Sequence, residues 1–141
     1  MTPVTVERTV PVPPERAFDA WLREDDLRVW MAPLGDVELD PRVGGRFRIV
    51  MHRDDREGGP IEHVGEYREL DRPRRLVFTW ISPYTDGESL VTVELSPLGE
   101  GTRIVLTHEG LPDAALDGHA GGWETFLDRL GAVPTSTEAG S

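Results

Sequence analysis

Residues 108–130 read His-Glu-Gly-Leu-Pro-Asp-Ala-Ala-Leu-Asp-Gly-His-Ala-Gly-Gly-Trp-Glu-Thr-Phe-Leu-Asp-Arg-Leu, and this stretch decides the fold of the chain. A strand is expected to end near His108, because Gly110 interrupts it, and Pro112 lies where a helix can begin. Apolar residues and one histidine then recur at spacings of three and four, which places them on one helical face: Leu116, His119, Trp123, Phe126, Leu127 and Leu130. The stretch therefore predicts an amphipathic C-terminal helix with one polar ring on its apolar face.

The composition is that of a folded chain with one domain. Of its 141 residues, 38% are hydrophobic and 29% are charged, so the chain can bury about two-thirds of its unfolded surface. We assign residues 1–132 to this domain. Residues 133–141 are mostly small or polar and have nothing to pack against, so we expect them to form a disordered tail.

The charge of the chain argues against nucleic acid as a partner. The net charge is −11 and the isoelectric point about 4.7, so a phosphate backbone would meet a repulsive surface. The chain contains neither cysteine nor lysine, which excludes disulfides, thiolate metal ligands and Schiff-base chemistry. No apolar run approaches the ~18 residues of a membrane span, and the N-terminus does not resemble a signal peptide, so the cytoplasm is the expected location.

Hydrophobic periodicity divides the remaining chain into short elements. Residues 4–12 are rich in β-branched side chains and predict a first strand. Pro14 opens a helix predicted over residues 14–23, and a second short helix follows residues 24–26 and ends before Pro33. Residues 53–60 are expected to form the polar tip of a hairpin. Alternating patterns predict further strands at residues 37–39, 46–51, 61–70, 76–81, 91–95 and 104–108.

The turns between these strands predict the topology of the sheet. Strands joined by short polar turns pair antiparallel. Such a sheet has one apolar face, and the C-terminal helix is the only element long enough to cover it. We therefore predict an α+β fold in which a curved antiparallel sheet of about six to seven strands wraps around a long C-terminal helix, with two short helices after the first strand. This arrangement often encloses a cavity, the commonest kind of ligand site.

Several segments together carry a resemblance to a known family. They are Phe18-Asp-Ala-Trp21, Trp30-Met-Ala-Pro33, Gly44-Gly-Arg-Phe47, Gly65-Glu-Tyr67-Arg-Glu-Leu70, Arg75-Leu-Val-Phe-Thr-Trp80, Gly101-Thr-Arg-Ile-Val-Leu-Thr-His108-Glu-Gly-Leu, His119-Ala-Gly-Gly-Trp123 and Leu127-Asp-Arg-Leu130. In this order they resemble the activator of heat-shock-protein-90 ATPase homologue family, in its bacterial single-domain form. The resemblance covers about residues 5–131, which makes it far more specific than any one segment.

The resemblance implies the helix-grip fold of the superfamily that contains START domains, polyketide cyclases and birch-pollen allergens. This agrees with the fold expected from the residues. The co-chaperone role in the family's name, and its link to stress response, belong to eukaryotic members with an additional chaperone-binding domain. We expect no room for that domain in this chain, so the resemblance implies fold more than activity.

Aromatic residues and histidines on the predicted inward faces are the candidate ligand site. We predict a small-molecule-binding protein with a hydrophobic cavity between the sheet and the C-terminal helix. The expected ligand is hydrophobic, aromatic or lipid-like, and we assign no cofactor and no catalytic residue. The predicted walls are Trp21, Trp30, Phe47, Tyr67, Phe78, Trp80, Trp123 and Phe126. The predicted polar handles are His63, His108 and His119.

Other interpretations of the same residues stay open. The aromatic rings can equally form a dense core, and His119 can simply hydrogen-bond a group on a strand. A histidine of the cavity can serve as general acid or base in a cyclase, hydratase or hydrolase. His52, His63 and His108 together would suit zinc, although their spacing matches no known metal motif. An apolar surface outside the cavity would instead bind a chaperone or a second copy of the chain.

An adjacent pair of glycines, Gly121 and Gly122, lies inside the predicted C-terminal helix. Gly121 and Gly122 would together cost about 2 kcal/mol of helix stability relative to alanine. We therefore expect them to mark the closest approach of the helix backbone to the sheet.

Overall fold

A computed structural model describes residues 3–32, 36–51, 61–83, 85 and 87–133. The described residues form seven strands and three α-helices, with a short 3-10 helix, Asp113–Ala115, directly before the last helix. In chain order the elements are β1 (Val4–Val10), α1 (Pro14–Asp19), α2 (Glu24–Trp30), β2 (Val37–Leu39), β3 (Arg46–Met51), β4 (Ile61–Asp71), β5 (Arg75–Trp80), β6 (Ser89–Leu98), β7 (Gly101–Glu109) and α3 (Leu116–Leu130). None of the helices in these segments is long and apolar enough to cross a membrane.

All seven strands belong to one antiparallel sheet, in the order β1-β7-β6-β5-β4-β3-β2. Strands β2 to β7 pair with their neighbours in sequence. The last strand, β7, also pairs with the first, β1, with Val4 opposite His108. Along β7 the buried and more exposed side chains alternate, as expected of a strand with one face toward the core. The sheet and its covering helix confirm the predicted α+β class and helix-grip arrangement.

Helix α3 buries the face that its spacing predicts. Trp123, Leu127 and Leu130 are buried, and the helix packs on β1 and α2. On its outer side, Glu124 and Asp128 each accept a hydrogen bond from Arg8 of β1. The apolar face of α3 therefore packs toward the core, and the ion pairs of Arg8 with Glu124 and Asp128 lie at the margin of this contact.

Two predicted boundaries extend too far. Strand β1 ends at Val10 rather than at residue 12, because Pro11 has no N–H group to donate to the ladder. Helix α1 ends at Asp19 rather than at residue 23. After Asp19 the amides of Trp21 and Leu22 bond to carbonyls three residues back, so the chain leaves the α-helical pattern in tighter turns.

The close approach predicted at Gly121 and Gly122 is wrong. A Cβ atom added at either glycine would meet no atom within 4 Å. The position two residues before Trp123 lies about 200° around the helix from it, so Gly121 points away from the core. A close approach occurs instead at Gly65 in β4, where a Cβ atom would overlap the carbonyl oxygen of Thr79 and lie 2.5 Å from the ring of Phe47.

Some predictions concern residues outside the described ranges. The predicted hairpin tip at residues 53–60, His52 and most of the predicted tail lie outside the described residues. Val133, the first residue of the predicted tail, is buried in the core. The domain boundary at residue 132 stays a prediction.

Candidate functional site

All eleven residues predicted to bind a ligand meet in one cluster of rings, which we call the aromatic cluster. Trp80 and Trp123 lie at its centre, with ring centroids 5.2 Å apart. The other nine join these two directly or through one further ring, with centroid distances between 4.6 and 6.3 Å: Trp21, Trp30, Phe47, His63, Tyr67, Phe78, His108, His119 and Phe126. The sequence thus predicts which rings come together, and their role in binding stays a prediction.

A cavity of about 20 Å³ lies inside the aromatic cluster, which is space for about one water molecule. It lies between the α1–α2 segment and strands β3 to β5, rather than between the sheet and α3 as the sequence predicts, because the short helices supply the helical side of its lining. The residues that line it are Trp21, Leu27, Met31, Phe47, Ile49, Tyr67, Leu76, Phe78 and Trp80. Five predicted wall residues therefore line this cavity, whereas the three predicted polar handles, together with Trp30, Trp123 and Phe126, are not in its lining.

The four tryptophans differ in how their indole N–H groups are used. Trp30 donates to the carbonyl of Ala20 and Trp123 donates to Nδ1 of His108, each at 3.0 Å. The indole nitrogens of Trp21 and Trp80 are buried and have no hydrogen-bond partner within the described part of the chain. A buried donor without a partner costs about 1–3 kcal/mol, and both of these rings line the cavity.

His108 is fully buried near the end of β7, with its ring against Trp123 and His119. Its Nδ1 accepts from Trp123, and its Nε2 lies 2.8 Å from Oγ of Ser89. Because Ser89 donates its own hydroxyl proton to the carbonyl of Trp80, its oxygen accepts from Nε2. Each group in this series of hydrogen bonds therefore donates to the next: Trp123 to His108, His108 to Ser89, and Ser89 to the carbonyl of Trp80. His108 is neutral, with its proton on Nε2.

Burial, together with the smaller effect of neighbouring His119, lowers the pKa of His108 to about 3. A charged imidazolium at this site would lose its hydration. Its Nδ1 would also carry a proton and could no longer accept the hydrogen bond from the indole N–H of Trp123. The ring thus stays neutral over the whole physiological range of pH.

The direction of these hydrogen bonds excludes a catalytic pair formed by Ser89 and His108. In such a pair the histidine must accept the proton of the serine hydroxyl. Here Nε2 of His108 already carries a proton, and Ser89 gives its proton to a backbone carbonyl. Both side chains are buried as well. The enzyme alternative therefore cannot use Ser89 and His108 in this arrangement.

His119 lies half-buried on α3, one turn before Trp123. Its Nδ1 donates to the carbonyl of Ala115 at 2.9 Å, so in the neutral ring the Nε2 atom carries the lone pair. The ring meets His108 edge to face at 5.2 Å. Its partner is thus a carbonyl at the start of its own helix rather than the strand group considered from the sequence.

His63, the remaining predicted handle, is buried in β4. Its ring lies over Trp80 at a centroid distance of 4.7 Å and an interplanar angle of 34°. It therefore extends the aromatic cluster at the side opposite α3. Among the described residues, no group of three or more His, Asp or Glu side chains is placed to hold a metal ion.

Gly65 and Ser89 shape the site but are not among the predicted site residues. Gly65 leaves room for the ring of Phe47 to lie against β4. A lone glycine in an alternating strand pattern is a sequence signal for such an approach. Ser89 has no comparable signal, because its contact with His108 depends on the register that places Val91 opposite His108.

Tyr67 keeps the cavity wall uncharged. Its phenol is buried, which raises its pKa well above the ordinary value, and the nearby Asp40 carboxylate raises it further. Because every other lining residue is apolar or an indole, the wall carries no formal charge.

A buried ion pair holds α1 and α2 together. The guanidinium of Arg16 donates to both carboxylate oxygens of Asp26 at 2.7 and 2.8 Å, and both side chains are buried. Removing one partner of such a pair costs about 3–5 kcal/mol because the other charge is left buried. The pair therefore fixes the segment that carries Trp21 and Trp30, a role that the sequence analysis misses.

Comparisons with known proteins agree with the resemblance found in the sequence. The model of the family described as Activator of Hsp90 ATPase homolog 1-like protein matches residues 11–134. No curated protein sequence matches the chain.

Solved structures give the same result. Protein CV1439 from Chromobacterium violaceum is 28% identical with a TM-score of 0.81, and the match covers 96% of this chain and 99% of that chain. Mll3558 from Rhizobium loti is 29% identical with a TM-score of 0.76, over 93% of this chain and 95% of that chain. PFC0360w from Plasmodium falciparum, described as an HSP90 activator, is 26% identical with a TM-score of 0.75, over 92% of this chain and 94% of that chain.

Proposed function

The chain belongs to the family of activator of Hsp90 ATPase homolog 1-like proteins, and from this premise we propose that it binds a hydrophobic small molecule between its sheet and its helices. The observation that carries the proposal is the cavity inside the aromatic cluster. Two indole rings of its wall, Trp21 and Trp80, have N–H groups with no partner among the described residues. Flat aromatic walls suit an aromatic or lipid-like ligand.

A ligand larger than one water molecule requires part of the wall to move. The helical side of the lining comes from Trp21, Leu27 and Met31, in and beside α1 and α2. These helices have six and seven residues, and helices this short depend on packing for their stability. Met31 adds an unbranched side chain that adapts to new surroundings. The α1–α2 segment is therefore the wall that opens, while the sheet stays intact.

Intrinsic fluorescence tests the proposal, because all four tryptophans belong to the aromatic cluster. We expect flavone, emodin or methyl palmitate to cause a saturable change in emission together with a rise in melting temperature. Ile49→Phe adds a ring to the lining at a cost of about 1–3 kcal/mol and should abolish the response. Val43→Phe, at a position that is 60% exposed, is the matched control and should leave it unchanged.

Two results would reject the proposal. One is a panel in which no compound changes either the emission or the melting temperature. The other is a response of equal size in Ile49→Phe and wild type when circular dichroism shows that both are folded.

A second function is supported by the likeness to PFC0360w, whose solved chain is described as an HSP90 activator and is matched over 94% of its length. The alternative proposal is that this chain binds a chaperone of the Hsp90 family through its outer surface. Added to purified Hsp90, the chain should then raise the rate of ATP hydrolysis. An unchanged rate, with the two proteins eluting separately in size-exclusion chromatography, would reject this alternative and leave the ligand proposal standing.

A further inference from the structure

We propose that the cavity selects an uncharged ligand with a hydrogen-bond acceptor, such as an aryl ketone, and that Trp21 and Trp80 supply the donors. This inference rests on the proposed function and adds the chemical class of the ligand. It makes Trp21 and Trp80 binding residues of a different kind from the apolar side chains around them.

The first argument is the division among the four indoles. Trp30 and Trp123 have acceptors inside the protein, whereas Trp21 and Trp80 have none within the described segments. Both unpaired rings are buried, with 4% and 2% of their surface exposed, and both line the same cavity. A purely hydrocarbon ligand would leave these donors unpaired, whereas a carbonyl oxygen can accept from them.

The second argument is the absence of formal charge around the cavity. Among the described residues, its lining contains only aromatic, aliphatic and methionine side chains, with no arginine and no carboxylate. A buried anion would lose its hydration without meeting a cation, and the net charge of −11 would oppose its approach. A buried cation would likewise lose its hydration without meeting a carboxylate of this lining. An uncharged acceptor is the class that suits both the donors and the wall.

Three probes with the same arrangement of non-hydrogen atoms separate these classes. Acetophenone carries the carbonyl, α-methylstyrene replaces its oxygen by a CH₂ group, and benzoate carries a negative charge. In calorimetric titrations we expect acetophenone to bind about three- to tenfold more tightly than α-methylstyrene, the effect of one net hydrogen bond. Benzoate should bind at least about tenfold more weakly than acetophenone.

Tryptophan variants locate the donors. In Trp21→Phe and in Trp80→Phe the affinity ratio of acetophenone to α-methylstyrene should fall toward one. In Trp30→Phe, which removes a donor already used by Ala20, the ratio should persist. The two uncharged probes have nearly the same shape, so the change in cavity volume caused by each substitution cancels in the ratio.

A measurement on the wild-type chain avoids variants that do not fold. Among the four indole N–H resonances in a ¹H–¹⁵N spectrum, acetophenone should move those of Trp21 and Trp80 downfield and leave that of Trp30 in place. Equal affinity for acetophenone and α-methylstyrene, or unmoved Trp21 and Trp80 resonances at saturation, would overturn the inference while the proposed function stands. Failure of both uncharged probes to bind would overturn the inference and count against the proposed function as well.

Discussion

His108 shows how one buried polar side chain orders its surroundings. Its two ring nitrogens join the indole of Trp123 to the hydroxyl of Ser89, which in turn holds the carbonyl of Trp80. These hydrogen bonds connect the indole ring of Trp123 to the backbone of β5 at Trp80. His108 is therefore a positioning residue for the ring of Trp123.

This arrangement predicts how stability depends on pH. The pKa of His108 is lowered to about 3 in the folded chain, whereas an unfolded histidine titrates near about 6.5. Between these values only the unfolded state binds the proton, so the free energy of unfolding falls as the pH is lowered. From pH 7.5 to pH 5 the contribution of His108 is a loss of about 2 kcal/mol, measurable by urea denaturation.

The control for this prediction is His108→Gln, which removes the titrating ring. The variant should be less stable at neutral pH, and its loss of stability toward pH 5 should be smaller by about 2 kcal/mol. An NMR titration in which the ring of His108 in the folded protein gains its proton near pH 6.5 would contradict the prediction.

At the scale of the element, β4 and α3 use glycine for different reasons. Gly65 in β4 has no side chain, which leaves room for the ring of Phe47 to pack against the strand. Gly121 in α3 faces open space, where a side chain would meet nothing within 4 Å. The sequence analysis assigns the close approach to the wrong pair of glycines. Helical spacing places Gly121 about 200° around the helix from the buried Trp123, so a glycine at that position does not mark a contact with the sheet.

Alanine substitutions should therefore have opposite effects in these two elements. Gly65→Ala forces a methyl group onto the Thr79 carbonyl and the Phe47 ring, and should cost about 3 kcal/mol or more of stability. Gly121→Ala should increase the free energy of unfolding by about 0.5–1 kcal/mol, because alanine loses less backbone entropy in a helix. Chemical denaturation of both variants checks the pair, and equal destabilisation would show that α3 packs differently from the structure described.

At the scale of the whole molecule, periodicity predicts the fold because each face of a strand or helix repeats along the chain. The alternating residues of β7 and the stripe on α3 therefore indicate the sheet and its covering helix before any contact is known. The same pattern predicts the members of the aromatic cluster. It does not predict Ser89 beside His108 or the pair of Arg16 with Asp26, since these depend on register and on how two short helices meet.

The types of the lining residues also do not predict the size of the cavity. Nine lining residues enclose about 20 Å³, and the same nine would enclose a larger or a smaller space after small shifts of their rings. The sequence therefore leaves the ligand site and the dense core as alternatives. The structure adds two buried indole donors, those of Trp21 and Trp80, that have no partner among the described residues. Few buried donors in a closed core lack a partner, so these two favour a ligand site.

Intermolecular NOE spectroscopy with acetophenone tests most directly whether the aromatic cluster is a ligand site. The ligand protons should show saturable NOEs to the ring protons of Phe47, Phe78 and Trp80, which line the cavity. NOEs confined to exposed apolar side chains such as Val43 and Leu98, or none from a folded chain at millimolar acetophenone, would contradict this and leave the cluster as a closed core.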